Sequence, residues 1–177
     1  MNRINALAIA MAVLTGAVAA KTKPNVIVIL GDDMGIDSVS AFNPKMGLET
    51  PAIDRLGNGG ISFMDAHSTS GVCSPTRYGL LTGRYNWRSR LKRGIVGRWE
   101  RPLIADQRIT LPEMFRSQGY ATCMIGKWHL GWHWPKKGGG VTEKLSEIDF
   151  TQPIKGGPNS HGFDYYYGDD VPNWPPY

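Results

Sequence analysis

Three small groups of residues have the types and spacing for chemistry: Asp32-Asp33, Cys73 with Arg77, and Lys127 with His129. Adjacent carboxylates repel, so a buried pair calls for a cation beside it. Hard oxygen donors of this kind suit Ca²⁺ or Mg²⁺. The same pair, following Gly31, also fits a plain solvated turn. Cys73 lies in a stretch rich in Ser, Thr, Gly and Pro, just ahead of a short helical pattern. A thiol at a helix start is reactive, and the N–H groups there suit an anion. Arg77, one turn on, reaches back toward the same point. A half-buried structural thiol is the other reading of Cys73. Lys127 and His129 by themselves are equally compatible with a surface lysine and a structural histidine.

The elements that must position these groups follow an α/β pattern. Val26 to Leu30 is a continuous, β-branched apolar run, the mark of a strand buried on both faces of a parallel sheet. It delivers Asp32 and Asp33. Thr50-Pro51 marks a helix start, with the helix running to about Leu56 and stopping at the glycines beyond it. Ile61 to Ala66 predicts a second strand, Ser68 to Thr76 a loop, and Arg77 to Thr82 a short helix ended by Gly83. Thr110-Leu111-Pro112-Glu113 has the form of a capping box, with a helix ending near Gly119. Tyr120 to Ile125 predicts a third strand, which delivers Lys127 and His129 and makes Cys123 a small core hydrophobe. Ligands in open α/β sheets bind outside the carboxyl ends of the strands, so all three groups are expected at one sheet edge. Beyond Trp132 the pattern fades into glycine- and proline-rich segments.

Bulk properties narrow the class. Of the 177 residues 41% are hydrophobic and 20% charged, with a formal net charge of +5. The basic residues are scattered apart from a denser stretch from Arg84 to Arg101, and no nucleic-acid-binding motif accompanies them, so no nucleic-acid partner is expected. Residues 1–20 read as a secretory signal peptide: Arg3, an uncharged run from Ala6 to Ala19, and the small-residue exit Ala17-Val18-Ala19. That run falls short of the ~20 residues that span a bilayer, so no stable membrane insertion is expected, and the protein is expected to be exported, periplasmic or secreted. A disulfide between Cys73 and Cys123 is possible but not favoured, because their contexts differ.

Cys73-Ser74-Pro75-Thr76-Arg77, continuing to Leu81-Thr82-Gly83-Arg84, resembles the sulfatase signature C-x-P-x-R followed by Thr-Gly. Four further segments resemble that family in order. They are Pro24-Asn25-Val26 through Asp32-Asp33, the run from Thr50 to Leu56, Gly126-Lys127-Trp128-His129-Leu130-Gly131, and His161-Gly162-Phe163-Asp164. The resemblance implies an alkaline-phosphatase-like α/β fold with a mainly parallel sheet flanked by helices. It implies sulfuric ester hydrolysis through formylglycine made from Cys73, whose hydrated aldehyde attacks sulfur with one oxygen and releases sulfate with the help of the other. By the same resemblance Asp32, Asp33 and the Cys73 position hold a divalent cation, Ca²⁺ before Mg²⁺. Arg77 holds the formylglycine, Lys127 grips the sulfate, and His129 takes a proton. The implied partners are a sulfated small molecule or glycan and a formylglycine-generating enzyme.

The family's later Asp-Asn or Asp-Gln metal pair, and its later His and Lys, have no match after His161, and neither His133 nor His161 lies in the motif that would supply that His. Residues 21–177 are therefore expected to be the N-terminal part of the catalytic domain, with the C-terminal part missing and no turnover by the fragment itself. Two alternatives accompany this reading. One is a phosphonate or phosphate ester hydrolase of the same superfamily. The other is a non-catalytic remnant that binds sulfated glycans. The aromatic and basic residues Trp87, Arg88, Arg90, Trp99, Trp132 and Trp134 suit a sulfated sugar or, equally, packing.

Overall fold

The computed structural model describes residues 23–170, so the signal peptide expected over residues 1–20 lies outside the described residues. The chain divides into two units, residues 1–30 and 31–177. In the first, residues 23–30 form no regular element, and Ile27 and Ile29 are 84% and 81% exposed. This corrects the strand expected at Val26 to Leu30. A strand exists only through ladder partners, and none pairs with this run among the described residues.

Among the described residues, the second unit carries three α-helices. Helix α1 spans Pro51–Gly59, three residues further than the glycine stop predicts. Its entry is held by a small polar knot: the Thr50 hydroxyl donates to Asp54 Oδ1 at 2.8 Å and the Ser40 hydroxyl to Asp54 Oδ2 at 2.6 Å. Helix α2 spans Cys73–Thr82, so it begins four residues before the predicted start and takes Cys73 into its first turn. Pro75 is tolerated there because first-turn N–H groups have no intrahelical partner. Gly83 closes α2 in the left-handed conformation (φ 62°), with its N–H bonded to the Gly79 carbonyl at 2.9 Å. Gly79 matters for a different reason. A Cβ there would lie 2.3 Å from the Thr69 hydroxyl oxygen, so only glycine lets the preceding loop lie against the helix.

Helix α3 spans Leu111–Ser117 and has the predicted capping box, with Thr110 Oγ1 accepting from the Glu113 N–H and Glu113 accepting from the Thr110 N–H. Thr110 is buried, and its hydroxyl also reaches the His161 carbonyl at 2.7 Å. Thr110→Ala is expected to lower stability by about 1–2 kcal/mol, the usual cost of a lost cap together with a carbonyl left short of a donor. A chemical-denaturation midpoint measured on both proteins checks this.

Strand β1 (Cys123–Ile125) pairs in parallel with β4 (Tyr165–Tyr167), Cys123 opposite Tyr165 and Ile125 opposite Tyr167. Strands β2 (Trp134–Pro135) and β3 (Val141–Thr142) form a small antiparallel pair between them in sequence. Met124 and Tyr166 pack on the core while Cys123 is exposed, as the period-2 alternation of a strand requires. Cys123 is therefore not the core residue the sequence suggests, and both cysteines are free thiols. No strand forms at Ile61 to Ala66, where Ile61 and Phe63 are exposed. The core comprises Tyr78, Leu91, Val96, Leu103, Ile104, Trp128 and Leu130. Burial of aliphatic side chains at about 1.5–3 kcal/mol each is what holds α2 against the β1 loop. No helix among the described residues is long and apolar enough to cross a membrane.

Candidate active site

The three groups singled out by their chemistry meet. Asp32 Oδ1 accepts from the Arg77 guanidinium at 3.1 Å, and Asp32 Oδ2 accepts from the Lys127 ammonium at 2.7 Å. The other arm of Arg77 donates to the main-chain carbonyl of Lys127. One guanidinium thus ties the turn at Asp32 to the segment leaving β1. Its planar fork suits two acceptors at once, which an ammonium could not serve in the same way. Asp33 and Cys73 complete the group: one ligand-type atom from each of Asp32, Asp33 and Cys73 lies within 4.8 Å of the others.

The local backbone explains how these side chains get there. Cys73 is the first residue of α2, after Val72 in an extended conformation. The next residue, Ser74, is fully buried and its hydroxyl accepts the Val96 N–H at 3.1 Å, which anchors the first turn to the loop carrying Val96. Among the described residues, two non-glycine residues have positive φ, Asp33 at 57° and His129 at 54°. Such conformations cost energy and are concentrated at functional sites. Here both fall within the motifs.

Electrostatics divides the site into a charged mouth and a neutral wall. Burial pushes the Asp32 carboxyl up, but hydrogen bonds and charge from Lys127 and Arg77 outweigh it and hold the group below its ordinary value. His129 goes the other way from a cation: burial, then the Lys127 charge, depress it below the ordinary imidazole value. Its Nε2 lies 2.9 Å from the Val96 carbonyl. A carbonyl only accepts, so Nε2 carries the hydrogen and Nδ1 keeps its lone pair in the neutral ring. Nδ1 is buried and has no hydrogen-bond partner among the described residues.

His161 is also buried, stacked on Trp128 with ring centroids 6.0 Å apart, and burial depresses it as well. Both histidines have folded values below 6.5. A depressed base gives stability that is complete above the unfolded value and is lost as the pH falls through the folded one. Thermal midpoints are therefore expected to fall from pH 7.5 to pH 5. Asp170, raised from 3.8 to about 6, takes up a proton in the same window and softens the fall. In His161→Phe, which keeps a ring against Trp128, the fall is expected to be shallower.

The aromatic and basic residues do not gather into one sugar platform. Trp132 and Trp134 pack together at 6.2 Å, and Trp99 packs edge-on against Trp134 at 4.9 Å, with Trp134 buried. Arg90 is paired with Glu100 at 2.6 Å. Trp87 is half exposed and stacks on Tyr85 at 4.0 Å. Sequence reasoning missed two contributors to the site. Val96 supplies the carbonyl under His129, a backbone role with no sequence signal. Asp170, whose carboxylate accepts the His129 N–H at 3.2 Å, carries a signal in its acidic pair with Asp169.

The family profile described as Sulfatase matches residues 24–175. An N-acetylgalactosamine-6-O-sulfatase of Bacteroides thetaiotaomicron is 39% identical over 145 residues, covering 82% of this chain and 26% of that protein. Steryl-sulfatase of Homo sapiens is 34% identical over 165 residues, covering 87% of this chain and 25% of that protein. Among solved structures, one from work on glycosaminoglycan metabolism by Bacteroides thetaiotaomicron aligns with a TM-score of 0.68 at 39% identity, covering 82% of this chain and 28% of its own. The crystal structure of Ps i-CgsB aligns at 0.63 and 31% identity, with the same two coverages. The chain spans about a quarter of the length of the curated relatives it matches. With its motifs drawn together around Asp32 and the profile matched over nearly its whole length, the chain belongs to the sulfatase family and has that family's alkaline-phosphatase-like α/β fold.

Proposed function

We propose that the protein hydrolyses sulfate esters, and that Asp32, Asp33, Cys73, Arg77, Lys127 and His129 carry the reaction. The observation that supports this best is the Asp32 carboxylate held between Arg77 and Lys127 within reach of Asp33 and Cys73. The donor set fits a hard divalent cation, since two carboxylates converge beside the Cys73 side chain, and the resemblance to sulfatases favours Ca²⁺ over Mg²⁺. The formal charges of Asp32, Asp33, Arg77 and Lys127 cancel, so an arriving sulfate group needs a further positive charge. When bound, that cation supplies charge neutralisation and acidifies an oxygen nucleophile, which formylglycine made from Cys73 provides as a hydrated aldehyde.

The chain's own residues do the rest. Arg77 fixes the Asp32 carboxylate and the Lys127 backbone in one frame, which keeps the anion-binding groups preorganised. Lys127, with a side chain only 15% exposed, presents its ammonium to the sulfate oxygens. His129 stays neutral at pH 7 and accepts a proton at Nδ1, because Nε2–H is committed to Val96. A sulfated glycan is the substrate class we favour, since a neighbouring structure holds a neocarrahexaose and a relative is named for N-acetylgalactosamine-6-O-sulfate chemistry. The protein would meet a formylglycine-generating enzyme before or during export.

Sulfate and phosphate esters of one alcohol, offered to a longer clone that carries this chain, test this reading. Faster release from the sulfate ester is expected. Preference for the phosphate ester would move the assignment to the phosphoester branch of the superfamily.

A further inference from the structure

Asp170 lies just after β4, beside the segment that carries Lys127 and His129. That segment is laid along the chain leaving β4 by successive main-chain bonds: Gly126 N–H to the Tyr167 carbonyl and Trp128 N–H to the Asp169 carbonyl, each at 2.9 Å. The Tyr166 hydroxyl sits between the carbonyls of Gly126 and Asp169, at 3.2 and 3.0 Å. The next bond in the series is different in kind. The His129 N–H is received at 3.2 Å by the Asp170 side chain instead of a main-chain carbonyl.

His129 is also the residue at which this segment turns left-handed, with φ 54°. A β-carbon makes that conformation costly, by roughly 1–2 kcal/mol. It persists only where the surroundings over-determine it. The amide bond to Asp170 and the ring bond to the Val96 carbonyl supply two such constraints, one on each side of the Cα.

Asp170 is an expensive way to receive one amide. Burial pushes its carboxyl up to about 6, against the pull of the Trp132 indole, the His129 amide and Arg98, while Asp169 adds to the rise. A buried carboxylate with so little compensation lowers stability, and costs of this kind gather where geometry matters for function.

We infer that Asp170 is a positioning residue: its carboxylate pins the left-handed His129 amide and thereby aims the imidazole, with Nε2 on Val96 and Nδ1 toward the reacting group. This rests on the reading of His129 as the proton acceptor. Asp170 touches neither substrate nor cation in this role and acts only through His129.

The test uses a longer clone that carries this chain, with a sulfate ester and four variants: Asp170→Ala, Asp170→Asn, His129→Ala and the His129→Ala/Asp170→Ala pair. Asp170→Ala is expected to lower kcat by about 10- to 100-fold with KM little changed, as a misaimed catalytic group does. Asp170→Asn keeps an acceptor oxygen for the amide. It is expected to stay within about fivefold of the parent kcat, with an equal or higher melting temperature. In the His129→Ala background, removing Asp170 is expected to cost nothing further, because coupled residues are not additive. Three results would overturn the proposal with the reading of His129 left intact. One is an unchanged kcat in Asp170→Ala while His129→Ala is impaired. The second is a full additional loss in the double variant. The third is a loss in Asp170→Asn that exceeds about tenfold, and this last keeps the proposal testable if the alanine variant does not fold. Full activity in His129→Ala removes the role assigned to His129, and the positioning role with it.

Discussion

Cys73→Ala is expected to reduce sulfate-ester turnover by about 10⁴-fold or more, the scale of losing a covalent nucleophile. Folding should hardly notice. Cys73 is only half-buried, and the first turn of α2 is anchored by Ser74 on Val96 and by the buried Pro75 and Arg77. The melting temperature should therefore stay close to the parent's. Cys73→Ser should not restore turnover, because a single hydroxyl lacks the second oxygen that would expel sulfate. Steady-state assay of the three proteins, each made as a longer clone that carries this chain, measures the loss on one sulfate ester. A mass spectrum of the peptide bearing residue 73 measures its cause: conversion to formylglycine makes that peptide lighter than the thiol form. Equal activity with and without the cysteine would sink the assignment.

Asp32→Asn is the second large effect. The substitution keeps size and shape but removes the charge that both Arg77 and Lys127 address. Affinity for Ca²⁺ is expected to fall by about 100-fold or more, since an amide oxygen is a much weaker ligand than a carboxylate beside a second carboxylate. Turnover should fall by about 10²–10³-fold. Because Asp32 sits below its ordinary value, its contribution is complete at neutral pH and fades only as the solution becomes acidic enough to protonate it. Calorimetric titration with CaCl₂ and with MgCl₂, before and after the substitution, reads the binding directly. Partial recovery of turnover in excess Ca²⁺ would show that the lost step is metal capture. An unchanged affinity would remove Asp32 from the metal site.

Much of the site is legible from residue types alone. The Thr110 capping box, the Gly83 stop and the helix after Thr50 are local chemistry, and each appears within a few residues of its expected place. Asp32, Arg77 and Lys127 meet as expected, but not by the expected route: among the described residues no strand precedes Asp32 or Arg77, and the Arg77 guanidinium makes the link. What the sequence conceals is set by tertiary packing. Cys123 reads as core because strand and burial are hard to separate in a short apolar run, yet its neighbour Met124 takes the inward face. The run from Val26 to Leu30 reads as an inner strand, but a ladder depends on partners that no local pattern supplies. Tyr165–Tyr167 became the parallel mate of β1 from within a stretch of glycine and proline. The contact of His129 with Val96 is a main-chain matter, invisible to any motif.

The guanidinium of Arg77 joins points far apart on the chain: Asp32 is 45 residues away and Lys127 is 50, while Asp32 and Lys127 are separated by 95. Closing loops of that length takes entropy that local contacts cannot offset, so such pairings form late and slowly. The proposed reactive centre is thus a record of completed folding. A chain that has built α2 and α3 but not yet brought these three together has a core in progress and no anion site. A stopped-flow trace of anion or Ca²⁺ binding would lag behind the recovery of helical signal by the time those loops take to close.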